Sequence, residues 1–366
     1  MIKQRTAQRN VFTLLVVILF ATSGIFAYLF VQARNRTQNI RELEARLTTC
    51  STQSQSASLN YLLCAKMEVL QVINTLPTSI ILSTLYKGFQ DKDITSRIYC
   101  HDIAHYVGRQ LVRKTGDVRT ALAQCDSTCN NGCYHGVMEI YFDASPTISP
   151  RDLERFCNPF FPHSPAFETQ CFHGLGHGLN VSTHGDIPQA LKLCGMLFWA
   201  EQRESCYYGA VMESLSSTVH ADTLRPLDLE KALDTCKHLD DRYQRYCYTV
   251  LGSAGLGGKN HDFPWAFARC DHEVSDAYKE NCYRAIGFQI GHFRNWDIAS
   301  SLQTCADAES RQKKGCYEGL IGDFMNNSDL FQPAIHLCWD IEAGYHTTCW
   351  GGLINSLLVK IPLYII

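Results

Sequence analysis

Paired cysteines narrow the fold of this chain more than any other feature. Cys157 with Cys171, Cys194 with Cys206, Cys236 with Cys247, Cys270 with Cys282, Cys305 with Cys316 and Cys338 with Cys349 are separated by 14, 12, 11, 12, 11 and 11 residues. Counted from Cys133, successive second cysteines lie 38, 35, 41, 35, 34 and 33 residues apart, which is the length of a helix-turn-helix repeat. An aromatic residue follows each of them: Tyr134, Phe172, Tyr207, Tyr248, Tyr283, Tyr317 and Trp350.

The segments before the first cysteines have helical periodicity, as in the run from Ile187 to Cys194. Those after the second cysteines are apolar and rich in small residues, as in Tyr208-Gly209-Ala210-Val211-Met212-Glu213. Each unit therefore reads as two antiparallel helices, stapled where the first ends and the second begins. A disulfide closing about a dozen residues stabilises by roughly 2–4 kcal/mol. With early units around Cys100 and around Cys125 and Cys133, the expected fold is all-α. It is an array of about eight disulfide-stapled helical hairpins, either a curved solenoid or a closed α/α toroid with the small-residue helices inside.

The cysteines also bear on the compartment. There are 18 of them and no CxxC knuckle, which favours disulfides formed in an oxidising space over cytosolic zinc sites. Lys3, Arg5 and Arg9 precede an uncharged run from Val11 to Val31, long enough to span a bilayer once. The predicted organisation is a cytoplasmic N-terminus (1–10), a transmembrane signal-anchor (11–33), a stalk and linker (34–60) and an extracytoplasmic repeat domain (61–366). Cleavage after Val31-Gln32-Ala33 is the alternative, and it would release a secreted protein. The C-terminal apolar run from Gly352 carries Lys360 and Pro362 and reads as a buried last helix.

A net charge of -3 gives no basic face for nucleic acid, and 46% apolar with 19% charged residues marks a folded chain. Pairing among Cys50, Cys64, Cys100, Cys125, Cys129 and Cys133 stays open from spacing alone. One assignment joins Cys125 to Cys133, Cys100 to Cys129 and Cys50 to Cys64, while Cys125-x3-Cys129-x3-Cys133 also has the form of a thiolate metal site.

Histidines supply the candidate chemistry. His173 and His177 lie two and six residues after Cys171, and His135 and Glu139 occupy the same places after Cys133. His101 and His105 follow Cys100 by one and five residues, one out of register with the other two pairs. On a helix each i, i+4 pair shares a face and can chelate one ion. Roughly 0.5 His-x3-His pairs would arise by chance in such a composition, and two occur. Later units carry Tyr208, Thr249, Arg284, Glu318 and Gly351 at the first of these positions, so the scaffold does not itself demand histidine.

The expected ligands are therefore His101, His105, His135, Glu139, His173 and His177. Asp102 and His184 are candidates for support or acid-base work. Such a nitrogen/oxygen set suits one or two ions of Zn, Fe, Cu or Mn. The bland alternative is that these histidines cap helices or bridge hairpins. The functional expectation is a membrane-anchored extracytoplasmic metal protein, either a hydrolase or an oxidoreductase, or a carrier without turnover. The rival is a scaffold that presents the later repeats to an envelope or extracellular protein or peptide. The expected partners are the membrane, through residues 11–31, and a metal ion.

Overall fold

The computed structural model describes residues 29–50, 58–90, 94–126, 128–129, 131–143, 157, 165–215, 228–257, 262–294, 296–326 and 331–360. Every regular element among them is helical, with no strand. The expected anchor falls mostly on residues 1–28, outside the described residues. Among those described, no helix is long and apolar enough to cross a membrane. The segment expected as a stalk contains a helix over residues 29–50 (α1). Leu29, Phe30 and Val31 are exposed on it, whereas Leu43, Leu47 and Cys50 lie in the core.

Three helices follow, α2 (Ser58–Val72), α3 (Thr78–Gln90) and α4 (Ile94–Thr115). Next come the short α5 (Val118–Leu122), then α6 (Gly132–Asp143) and α7 (Pro165–Ser182). The remaining chain alternates short and long helices. These are α8 (Ile187–Cys194) with α9 (Ala200–Leu215), α10 (Leu229–His238) with α11 (Asp241–Gly257), and α12 (Phe263–Glu273) with α13 (Lys279–Phe293). The last two pairs are α14 (Ile298–Ala306) with α15 (Ser310–Asn326), and α16 (Phe331–Asp340) with α17 (His346–Lys360).

Nine disulfides staple the fold, and no cysteine is free. Cys50 pairs with Cys64, Cys100 with Cys129 and Cys125 with Cys133. The other six bonds follow the spacing of the sequence. Cys157 is bonded to Cys171, Cys194 to Cys206 and Cys236 to Cys247. Cys270 is bonded to Cys282, Cys305 to Cys316 and Cys338 to Cys349. All twelve of these sulfurs are thus structural staples, buried in the core and outside the candidate chemistry. The pairing also excludes a thiolate metal site at Cys125, Cys129 and Cys133.

A capping aspartate fixes where five of the six short helices begin. Asp117, Asp186, Asp228, Asp262 and Asp297 each accept a hydrogen bond from the backbone N–H three residues on. Each stands eight residues before the first cysteine of its unit, namely Cys125, Cys194, Cys236, Cys270 and Cys305. One such cap stabilises a helix end by about 1 kcal/mol. The cap and the staple thus bracket each of these five short helices.

The helices that follow the staples pack side by side in chain order, α6 on α7, α7 on α9, α9 on α11, and so on to α17, with α4 on the free side of α6. Their spacing is set by glycine. A Cβ on Gly136 would lie 1.8 Å from the carbonyl oxygen of His105, and one on Gly209 1.9 Å from that of His173. Only a residue without Cβ lets the backbones of α4 and α6, and of α7 and α9, come so close.

The same contacts define the true register. Gly108, Gly176 and Gly287 each face the carbonyl of the staple cysteine in the next packed helix: Cys133, Cys206 and Cys316. Gly176 and Gly287 lie five residues after Cys171 and Cys282, so Gly108 aligns Ile103, not Cys100, with those cysteines. The expected alignment of His101 and His105 with the other pairs is therefore corrected. His105 is the equivalent of His135 and His173, Arg109 is the equivalent of Glu139 and His177, and His101 is an addition one turn earlier. Cys100 is freed from the staple position because it bonds Cys129 across to the start of α6.

Candidate metal centre

The interface between α6 and α7 is built differently from its neighbours. Gly174 meets the side chains of Met138 and His135, and Gly178 meets the ring of Phe142 before the Met138 carbonyl at 3.1 Å, so side chains make the nearest contacts between these helices. This packing admits the His135 ring between two tightly packed helix pairs, α4/α6 and α7/α9. Five imidazoles gather there. His135 has ring centroids 5.2 Å from His101, 5.1 Å from His105, 5.0 Å from His173 and 4.9 Å from His177. His105 and His177 are themselves 5.2 Å apart.

Three of the four outer imidazoles, His101, His105 and His177, are held through Nδ1. His101 Nδ1 lies 3.0 Å from the carbonyl oxygen of Cys129. A carbonyl can only accept, so Nδ1 carries the proton and Nε2 a lone pair. His105 Nδ1 donates to the carboxylate of Glu139 in the same way, and its Nε2 faces that of His101 at 2.9 Å. In the second pair, His177 Nδ1 lies 2.8 Å from Glu213 Oε2, and its Nε2 lies 3.1 Å from Nε2 of His173.

His101 and His105 both carry their protons on Nδ1, so their two Nε2 lone pairs face each other and repel unless a proton or a cation lies between them. Protonation is disfavoured here. Burial, then the neighbouring His101, His177, Arg109 and His173, holds the His105 imidazole well below its ordinary pKa. His177 is lowered to about 4, chiefly by burial. Burial also lowers His173 and His135, with the surrounding histidines adding to it. Neutral imidazoles are the form that binds metals. Two nitrogens bound to one ion at about 2.1 Å stand roughly 3.0–3.4 Å apart for angles of about 90–110°. The observed separations of 2.9 and 3.1 Å come close to that range.

His135 is the most telling member. It is 1% exposed, and neither ring nitrogen has a hydrogen-bond partner. Buried polar groups are normally satisfied, so two orphaned nitrogens on one ring mark this imidazole as the candidate ligand. Among the described residues, three donor groups capable of holding an ion emerge: His101, His105 and His135; His135, His173 and His177; and His105, Glu139, His177 and Glu213.

The sequence-predicted residues have distinct places. The five histidines converge. Glu139 stands behind His105, with Oε2 3.3 Å from Nε of the buried Arg109. Asp102 is half-buried and lies outside the three donor groups. His184 is an exposed turn residue with φ 55°, also outside them. Sequence reasoning missed Glu213 and Arg109. Glu213 falls seven residues after Cys206, one past the place of Glu139 after Cys133, and it lies 36 residues from His177, close to the 34 between His105 and Glu139. The signal that would have found it is that near-constant spacing of one repeat.

His101 and His173 are half-buried, while His105, His135, His177, Glu139 and Glu213 are buried. The centre is thus approached from the side of His101 and His173 and closed behind by the carboxylates. Comparison with protein-family models, curated proteins and solved structures finds no match to this chain.

Proposed function

We propose that this disulfide-rich helical protein is a transition-metal enzyme of an extracytoplasmic space, with its centre among His101, His105, His135, His173 and His177. The observation that carries the reading is His135, a buried imidazole with two unsatisfied nitrogens between two histidine pairs whose Nε2 atoms face each other at 2.9 and 3.1 Å. Glu139 and Glu213 act as positioning residues that fix the Nδ1–H tautomers of His105 and His177. Such outer carboxylates raise the basicity of a ligand imidazole. The half-buried side at His101 and His173 supports an open coordination position, where a metal would activate water for hydrolysis or take part in oxidation. Nine disulfides support an oxidising compartment. Anchoring through residues 11–31 is part of the same proposal, as is a strongly curved array, supported by the contact of α4 with α13.

Elemental analysis of the full chain, purified without a polyhistidine tag from its native compartment, tests the reading. Stoichiometric Zn or Mn would direct the search to hydrolysis, and Fe or Cu to oxidation. A metal-free chain that also refuses added Zn(II) and Cu(II) would overturn it.

A further inference from the structure

We infer that the centre is dinuclear and that His135 is shared by both ions, one ring nitrogen to each. This rests on the metal-centre reading and goes beyond it in number and connectivity. Two three-histidine groups exist, and His135 is the residue common to both. Its ring stands about equally far from the two pairs, with centroids 5.2 and 5.1 Å from His101 and His105, and 5.0 and 4.9 Å from His173 and His177. The other imidazoles engaged through Nδ1 have that atom committed: His101 to the Cys129 carbonyl, His105 to Glu139 and His177 to Glu213. Each of these three therefore offers one nitrogen. His135 alone has both nitrogens buried and without a hydrogen bond. A single ion would satisfy one of them and leave the other orphaned, whereas two ions satisfy both.

Atoms and charge balance simply. A neutral imidazole binds the first ion through its unprotonated nitrogen. Binding of the second ion displaces the remaining N–H proton to solvent, so the ring bridges as an imidazolate. No electron transfer is involved. The same-helix pairs, His101 with His105 and His173 with His177, complete three nitrogens around each ion. The competing arrangement is one ion in the buried quartet of His105, Glu139, His177 and Glu213.

The experiment loads the metal-free full chain with Cu(II), counts bound copper and records its electron paramagnetic resonance spectrum. Two equivalents per chain are expected, with the ordinary Cu(II) signal diminished and a half-field transition present, as coupled spins give. His101→Ala, a change at the half-buried rim, should retain one equivalent with an ordinary uncoupled spectrum. One equivalent in the unaltered chain would overturn the dinuclear inference while leaving the metal-centre reading standing. Two equivalents with uncoupled spectra would overturn the bridge. No bound copper or zinc would overturn both readings. Retention of both equivalents, or loss of both, in His101→Ala would also count against the shared-ligand arrangement.

Discussion

Gly209 rests on the carbonyl of His173, so close that a Cβ at position 209 would lie 1.9 Å from that oxygen. The contact sets the distance across which His177, one turn further along α7, reaches Glu213, one turn further along α9. Gly209→Ala must therefore push the two backbones apart, and no flexible side chain is available to yield. Overpacking of this kind costs roughly 1–3 kcal/mol. The expected result is a lowered urea midpoint together with weakened metal binding. Gly344→Ala, at a glycine with nothing within 4 Å, should change neither. Equal midpoints for the two variants would refute the packing argument.

Glu213 is a carboxylate that the sequence pattern did not single out, and its role is separable from that of a ligand. Glu213→Gln keeps the size of the group and an acceptor for His177 Nδ1–H, but removes the charge that raises imidazole basicity. Loss of such an outer partner typically weakens metal affinity about 10–100-fold. The expected outcome is that shift in a chelator-competition titration, with the number of ions bound unchanged. An unchanged affinity would mean that Glu213 merely fills space. Loss of a whole equivalent would make it a ligand.

The staples lend themselves to a direct count. Thiol titration of the chain unfolded without reductant should find none of the 18 cysteines free. Replacing Cys194 and Cys206 together by serine opens a loop of separation 12 and should lower stability by roughly 3 kcal/mol, measured by urea unfolding without reductant. A loss below about 1 kcal/mol would show that the cap at Asp186 and the packing of α8 hold this hairpin without its bond.

Much of the scaffold was legible because its determinants repeat. Cys236 and Cys247, like Cys338 and Cys349, join the end of one helix to the first two turns of the next, so the second helix starts one to two turns before the cysteine that the spacing placed at its start. Asp228 and its four counterparts repeat in the same way, but only the structure singled them out as caps. A periodic signal survives noise in any one unit. The imidazole cluster was legible for a similar reason, since His135 and His173 hold the same place after their cysteines. What failed was register at the first unit. Cys100 looks like a repeat cysteine by its neighbours, but its bond runs to Cys129, and only the contact of Gly108 with the Cys133 carbonyl shows that Ile103 holds the equivalent place. Glu213 was missed because it stands one residue past the frame position, where helix rotation and packing, not sequence spacing, decide which face it shares. Arg109 was not singled out, because a lone arginine in the sequence carries no sign of burial. Its burial against Glu139 depends on a neighbouring helix that no local pattern describes.

The metal-free chain should lose stability as the solution is acidified from pH 7 towards pH 4. The direction follows from proton counting. In the unfolded chain a histidine takes up its proton near its ordinary value of 6.5, whereas burial holds His177 in the folded chain down to about 4. Between those values the unfolded state binds more protons, so stability is full above about pH 6.5 and drains away as pH falls. His177 alone contributes roughly 3 kcal/mol across that window. His105, His135 and His173 are shifted in the same direction by burial, so the combined fall is larger. Urea midpoints taken at half-unit intervals would trace it. The metal-loaded chain should keep its midpoint to lower pH, because a bound ion excludes the proton until it dissociates. A midpoint that stays flat from pH 7 to pH 4 in the stripped protein would mean that these imidazoles are solvated, and the case for a buried neutral cluster would fall with it.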